Sequence, residues 1–382
     1  MKIAIDVGLM GEEKVGAGTY LFNLLNNLAE IDKVTQYTGY GFFFRSFNSK
    51  LNSMSFPSQS NFNLNIKRFP AGFVNLLFNY FNCNLESFIG KVDIVHCLGS
   101  FVPKVRCARL VVTVFDLSSV LFQTFHTTFV TREAYLQAKL VTKRANKIIT
   151  ISHNSKRDII RLLCVPEDKV VVIPLAAGES YKRVTEFKSI ERFKDRYNLD
   201  KYILYVGTLE PRKNIINLLK AYSRLIKKVP ELNDHLVIVG KKGWLYTGIF
   251  EEVKNLRIED KVIFTGYVPN EDLVLFYNCA DLFVYPSFYE GFGIPVLEAM
   301  SCGTPVITSN ISSLPEVAGD AAILVDPKSV EEIANAMYKV LVDVNLREEM
   351  IEKGLKQAAQ FSWKKTAQET LAVYNALDER CE

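Results

Sequence analysis

At 382 residues the chain is long enough for two domains of ordinary size, each with its own core. Hydrophobic residues make up 48% and charged residues 23%, with no low-complexity segment, which excludes a disordered or fibrous chain. The net charge of +4 is uneven, since residues 1–180 carry 20 Lys/Arg against 13 Asp/Glu and residues 181–382 carry 26 against 29.

Strand-like and helix-like segments alternate throughout, the pattern of α/β units around a parallel sheet. In the first half the expected strands are residues 2–8, 37–44, 92–97, 109–116, 147–152 and 170–174, with helices over 18–30, 128–144 and 153–163. Most of these strands are short continuous apolar runs, as expected for strands buried on both faces. The stretch 69–89 is aromatic and nearly uncharged, with Phe73, Leu76, Leu77, Tyr80, Phe81 and Phe88. It reads either as a buried helix of the first domain or as a segment that dips into a membrane interface. After Pro174 the pattern lapses into a polar linker with one helix, up to about Asp200.

A second series follows: strand 202–207, helix 214–227, strands 236–240, 261–265 and 282–285, helix 295–301 and strand 305–308. Ile215, Leu218, Leu219, Tyr222, Leu225 and Ile226 recur at helical spacing. Two consecutive α/β domains with a cleft between them are expected, with ligands outside the carboxyl ends of the strands.

Seven scattered cysteines, without a Cys-x-x-Cys pair, argue for a reducing, cytoplasmic setting and against a disulfide frame or structural zinc. Asp6 interrupts the N-terminal apolar run before a signal-peptide core forms, and no run approaches the length of a membrane-spanning helix. The basic first half could face an anionic membrane surface or a phosphorylated acceptor, or charge could simply differ between domains. No nucleic-acid partner is expected.

Three strand-end loops carry chemistry-bearing residues. The sequence Glu290-Gly-Phe-Gly-Ile-Pro-Val-Leu-Glu298 follows an apolar strand and opens a helix in which Pro295 suits the first position. Gly291 and Gly293 allow close backbone approach, and the free N–H groups of the helix start favour an anion. Phosphate on the backbone with a carboxylate on either side suits a sugar phosphate. In Gly207-Thr-Leu-Glu-Pro-Arg-Lys-Asn214, Arg212 and Lys213 precede a helix expected to be capped by Asn214. Two cations at a positively polarised helix start call for an anion, unless the turn is merely a solvated one. The third loop, Gly16-Ala-Gly-Thr-Tyr20, has two glycines of a dinucleotide fingerprint but Leu21 at the third place. Its loop over residues 8–15 is too long and no ribose-binding acid follows, so it is equally a plain helix start.

Together these motifs resemble the retaining nucleotide-sugar glycosyltransferases of family 4, whose fold is GT-B, two Rossmann-like domains facing across a cleft. The resemblance runs the full length. It implies an acceptor-side domain over 1–178, a nucleotide-sugar-binding domain over 199–360, and a final helix within 361–382 that crosses back to the first. It further implies that Glu290 contacts the donor sugar, Arg212 and Lys213 clamp the diphosphate, and Glu298 binds ribose hydroxyls. Gly291, Phe292, Gly293, Ile294 and Leu297 belong to the loop and helix start that hold sugar and phosphates. Gly207 ends the strand before the cationic turn. Gly266, Tyr267 and Val268 lie near the nucleobase, and Gly16, Ala17 and Gly18 close over the phosphates. Family members commonly have His-Asp where this chain has Phe115-Asp116. The aspartate, a candidate for acceptor contact, is kept, and either the sugar is held differently or His96 or His126 takes over. Both histidines also read as ordinary packing or surface residues.

The implied reaction transfers a sugar from a nucleotide diphosphate to a hydroxyl with retained configuration. No Asp-x-Asp is present, so the cations rather than a metal would hold the diphosphate, and no cofactor is expected. The Thr-Leu-Glu-Pro-Arg-Lys-Asn form resembles mannosyltransferases of bacterial surface-polysaccharide assembly, pointing to GDP-mannose and a glycan or lipid-linked acceptor; UDP-sugars stay open. The competing readings are a glycosidase carboxylate pair, a dehydrogenase, and a degenerate member that binds nucleotide sugar without transfer.

Overall fold

The computed structural model describes residues 1–11, 16–81, 83–122 and 128–379. The chain divides into two units, one built from Met1–Leu121, Thr128–Leu175 and the segment beginning at Ser362, the other mainly from Ala176–Phe361. Both are parallel α/β sheets covered by helices, in agreement with the GT-B class read from the sequence.

Among the described residues the first unit has seven strands: β1 (Lys2–Asp6), β2 (Gln36–Phe43), β3 (Phe62–Arg68), β4 (Ile94–Leu98), β5 (Arg109–Thr113), β6 (Lys147–Thr150) and β7 (Val170–Val172). They lie in the order β3-β2-β1-β4-β5-β6-β7. β4 is buried at every position, as expected for a central strand whose only polar side chain, His96, is hydrogen-bonded. β3 was not among the expected strands. It is an edge strand, paired with β2 from Tyr37↔Phe62 to Phe43↔Arg68, and its Phe-Asn-Leu-Asn-Ile alternation buries little. The helix Trp363–Asp378 completes this unit, where Thr366 donates to the Pro174 carbonyl at 2.7 Å.

The helix Ala71–Tyr80 buries Val74 and Phe78 in the first unit's core, while Phe73 and Leu76, with Phe81 just beyond its end, stay exposed. Core packing thus accounts for one face only. Among the described residues no helix is long and apolar enough to cross a membrane.

The second unit's strands are β8 (Tyr202–Val206), β9 (His235–Val239), β10 (Val262–Gly266), β11 (Leu282–Tyr285), β12 (Val306–Ser309) and β13 (Ala322–Val325), ordered β10-β9-β8-β11-β12-β13. β8 and β11 are buried at every position and occupy the centre. The chain winds outward in opposite directions from these two strands, so the crevice at their carboxyl ends is the switch point where ligands bind in open α/β sheets. β13 and the helices Thr247–Leu256, Asn270–Cys279, Val330–Val342 and Val344–Ala358 add to the elements expected from sequence.

Candidate functional site

The loops leaving β8 and β11 are the two motif loops of the second unit. Each loop packs against a neighbouring segment through a glycine. A Cβ on Gly240 would lie 1.9 Å from the Gly207 carbonyl oxygen, so the end of β9 can sit against the β8 loop only without a side chain. Gly293 has φ 115°, and a Cβ there would lie 2.7 Å from Leu314 Cδ2. It precedes the helix Ile294–Ser301, placing Pro295 at the second helical position rather than the first. Proline is tolerated there because that N–H also lacks an intrahelical acceptor.

Arg212 and Lys213 come from a 3-10 turn, Pro211–Lys213, that follows Glu210. Asn214 does not cap the next helix. It adopts a left-handed conformation (φ 59°), and its amide donates to the carbonyls of Pro286 (2.9 Å) and Pro327 (2.6 Å), tying the turn to the β11 loop and to the segment after β13. The cations are not uncompensated either. Arg212 reaches Glu210 Oε1 at 2.6 Å and Glu290 Oε2 at 3.0 Å, and Lys213 Nζ reaches Glu290 Oε1 at 2.8 Å. Two buried carboxylates therefore balance two cations, and the expectation that the turn requires an external anion is corrected. Lys213 also donates to the Tyr285 hydroxyl at 2.6 Å.

Burial alone would raise the Glu290 carboxyl, but the Lys213 and Arg212 charges outweigh it and hold it at about 2. Burial lowers Lys213, with Arg212 adding to the effect and Glu290 and Glu210 opposing it. The Glu290 backbone is pinned from the loop after β12: Ser312 Oγ accepts from its N–H at 2.9 Å, and Ser313 Oγ lies 2.8 Å from its carbonyl oxygen.

Glu298 occupies a different environment. Its Oε2 accepts from the Tyr277 hydroxyl at 2.9 Å. Burial raises its carboxyl to about 7, only partly opposed by hydrogen bonds from Tyr277 and Tyr181. One carboxylate of the motif is thus held ionised and the other close to half-protonated at neutral pH. Leu297 is fully buried on this helix, and Gly291 and Phe292 are buried in the loop. At the end of β10, Gly266 has φ 73°, Tyr267 is 66% exposed with Lys241 Nζ 4.6 Å from its ring centroid, and Val268 is buried.

The remaining expected residues belong to the first unit. Gly16 (φ 57°) precedes the helix Ala17–Ile31, in which Gly18 is buried. Asp116 Oδ1 accepts from the Ser118 N–H (2.8 Å) and hydroxyl (2.6 Å), an Asx-type turn after β5. Phe115 meets the Tyr20 ring edge-on, centroids 5.1 Å apart. His96 does not stand in for the missing imidazole. It is 1% exposed, with Nδ1 2.5 Å from the Tyr374 hydroxyl and Nε2 2.7 Å from Thr113 Oγ1, and burial lowers its pKa to about 3. His126 lies outside the described residues.

Glu210, Tyr285, Ser312 and Ser313 were missed by sequence reasoning. Glu210 stood inside the quoted motif and could have been found by counting charge across the turn; the serines and the tyrosine leave no local signal. Among the described residues no group of three or more His, Cys, Asp or Glu could hold a metal ion.

Two family models match the chain: "Glycosyl transferases group 1" over residues 186–357 and "Glycosyltransferase Family 4" over 16–176. The O-antigen chain mannosyltransferase B of Escherichia coli is 38% identical over 291 residues, 75% of each chain. The E. coli serotype-specific mannosyltransferase WbdA is 35% identical over 239 residues, which are 62% of this chain and 29% of that protein. Among solved structures, sucrose-phosphate synthase from Thermosynechococcus elongatus superposes with a TM-score of 0.76 at 20% identity over 99% of both chains. Anabaena HepE in complex with UDP and glucose gives 0.74 at 17% identity, covering 98% of this chain and all of that one.

Proposed function

Because this chain belongs to glycosyltransferase family 4, we propose that it transfers mannose from GDP-mannose, with retained configuration, to an acceptor hydroxyl of a growing bacterial surface polysaccharide of the O-antigen kind. The observation that carries this reading is the balanced cluster Glu210, Arg212, Lys213 and Glu290 at the switch point of the second sheet. The choice of mannose and O-antigen rests on the relatives' own activities.

In the structure Glu290 serves as counter-ion to Arg212 and Lys213. A diphosphate entering beside them supplies that charge, leaving the Glu290 carboxylate to accept hydrogen bonds from the sugar hydroxyls. As the glycosidic bond stretches, negative charge grows on the leaving phosphate. Arg212, Lys213 and the N–H groups around Phe292, Gly293 and Ile294 are already oriented for it, and losing one such donor typically costs about 10²–10³ in rate. Glu298 takes the ribose hydroxyls, and Gly266, Tyr267 and Val268 flank the base. On the first unit, Gly16, Ala17 and Gly18 contribute N–H groups to the phosphates and Asp116 orients the acceptor. The leaving phosphate itself receives the acceptor proton. With cations holding the diphosphate, the reaction proceeds without a metal.

The acceptor is a glycan or lipid-linked glycan met at the inner membrane face. Residues 33–85 contain Lys33, Arg45, Lys50, Lys67 and Arg68 and no Asp or Glu. Exposed Phe44, Phe73, Leu76 and Phe81 lie in the same stretch, a composition that suits peripheral contact with anionic lipid. Loss of the usual histidine at Phe115 motivates the second reading, a nucleotide-sugar-binding protein without transferase activity.

A thermal-shift screen of GDP, UDP and ADP identifies the nucleotide, since a ligand of the native state raises its stability. Turnover of GDP-mannose and of UDP-glucose then separates enzyme from binder: nucleotide binding with no turnover of any donor favours the second reading. In the enzyme, Lys213→Ala lowers kcat more than about tenfold; unchanged kcat removes the diphosphate-clamp assignment.

A further inference from the structure

Lys213 lies at the centre of a contact set that the charged motif does not account for. Its ammonium is shared between Glu290 Oε1 at 2.8 Å and the phenol oxygen of Tyr285 at 2.6 Å, with the Tyr285 ring centroid 5.2 Å away. Tyr285 is the last residue of β11, 1% exposed, and its ring stacks against Phe283 (centroids 5.7 Å apart, 18° between planes) and against Tyr205 of β8 (5.8 Å, 27°). The Tyr205 hydroxyl has no hydrogen-bond partner among the described residues, and a Cβ on Gly207 would come within 2.8 Å of it. The phenol that accepts from Lys213 therefore sits on a rigid aromatic stack spanning the two central strands, one step below the loops.

We propose that Tyr285 is a positioning residue for glycosyl transfer, holding the Lys213 ammonium in place and protonated beside the leaving diphosphate. The inference rests on the assignment of Lys213 to the diphosphate in the reading above. A lysine carries three donors on a flexible stem, so with the Glu290 carboxylate as its sole anchor its head would follow Glu290 wherever that side chain moved. Tyr285 supplies a second acceptor that is held in place, because its ring is buried and stacked against Phe283 and Tyr205. When Glu290 turns to the sugar, the phenol keeps the ammonium from following. It also stabilises the charged form at a position where desolvation works against it. The ionisable groups facing Lys213 are Glu290 from the β11 loop, Arg212 and Glu210 from its own turn, and Tyr285 from the sheet.

The test uses the full chain and turnover of GDP-mannose, or of UDP-glucose if the nucleotide screen selects uridine. Tyr285→Phe keeps the ring and removes only the acceptor. It lowers kcat about tenfold with little change in donor KM, since the contact matters most as charge develops on the leaving group. The alkaline limb of the kcat–pH profile moves to lower pH by roughly one unit, because the ammonium has lost a hydrogen bond to its charged form. In a Lys213→Ala background Tyr285→Phe has no further effect. An unchanged pH profile, or a tyrosine effect that persists in full without the lysine, overturns the inference and leaves the clamp reading standing. A wild-type kcat in Lys213→Ala alone overturns both. Lys213→Arg supplies a check that needs no tyrosine variant: its guanidinium stays charged throughout, so the alkaline limb flattens. A limb that persists means that Lys213 is not the titrating group and refutes the proposal.

Discussion

Replacing Glu290 by glutamine removes one charge from the cluster and nearly nothing from its volume. The side chain is 9% exposed, and its two oxygens contact Lys213 at 2.8 Å and Arg212 at 3.0 Å. With the carboxyl held at about 2 against an ordinary 4.5, ionisation contributes roughly 3 kcal/mol of folding free energy at neutral pH. Removing one partner of a buried ion pair costs about 3–5 kcal/mol by a separate line of evidence. Glu290→Gln is therefore expected to destabilise the second unit by about 3 kcal/mol, a fall in Tm of roughly 6–12 °C for a unit of this size. The pH dependence is specific. A depressed carboxyl contributes fully above its unfolded value, and the contribution is lost as pH falls through the folded one. The gap between wild type and variant should be constant from pH 6 to 8 and narrow below about 4.5. Urea unfolding of both proteins across this range measures it. A gap under about 1 kcal/mol at pH 7, or one that does not shrink in acid, would refute the electrostatic account of the cluster.

Other consequences can be measured independently. Gly293→Ala combines a positive φ with a 2.7 Å approach to Leu314 and should cost about 1–3 kcal/mol, read by urea unfolding, together with weaker nucleotide binding. Glu298 has a raised carboxyl at about 7, so its contribution to stability is fully present below 4.5 and lost as pH rises through 7. If ribose hydroxyls donate to its ionised form, nucleotide affinity by calorimetry should increase from pH 6 to 8 in wild type and stay flat in Glu298→Gln. His96, held neutral down to about 3, makes the first unit lose stability as pH falls below 6.5, because only the unfolded state takes the proton there. In His96→Gln this loss of stability from pH 6.5 to 4.5 should be smaller, and equal slopes would contradict the assignment.

The parts of the site legible in the sequence are those whose physics is local. The glycines, Pro295 and the two acids of residues 290–298 define a turn and helix start within nine positions, and the structure keeps that order after β11. Glu290's part in the charge balance was not legible, because Arg212 and Glu290 are 78 positions apart and nothing in either segment names the other as its partner. Asn214 illustrates the same limit. An Asn before a helix reads as a cap, yet its amide is taken by two carbonyls 72 and 113 residues away. β3 failed for another reason. Its period-two alternation was present, but asparagines at alternate positions hid an edge strand that needs only one good face.

The helix Trp363–Asp378 seats Tyr374 against His96 and Thr366 against the Pro174 carbonyl, so segments from either side of Ala176–Phe361 finish one core. During synthesis that seat stays open until all of Ala176–Phe361 has been made, roughly 10–40 s at ordinary elongation rates. The unit encoded first is thus the one completed last. Its nascent form presents His96 and the apolar surface around Tyr20 to the cell while the second unit is already able to close. A chain stalled at Phe361 should leave the first unit sensitive to protease and the second protected.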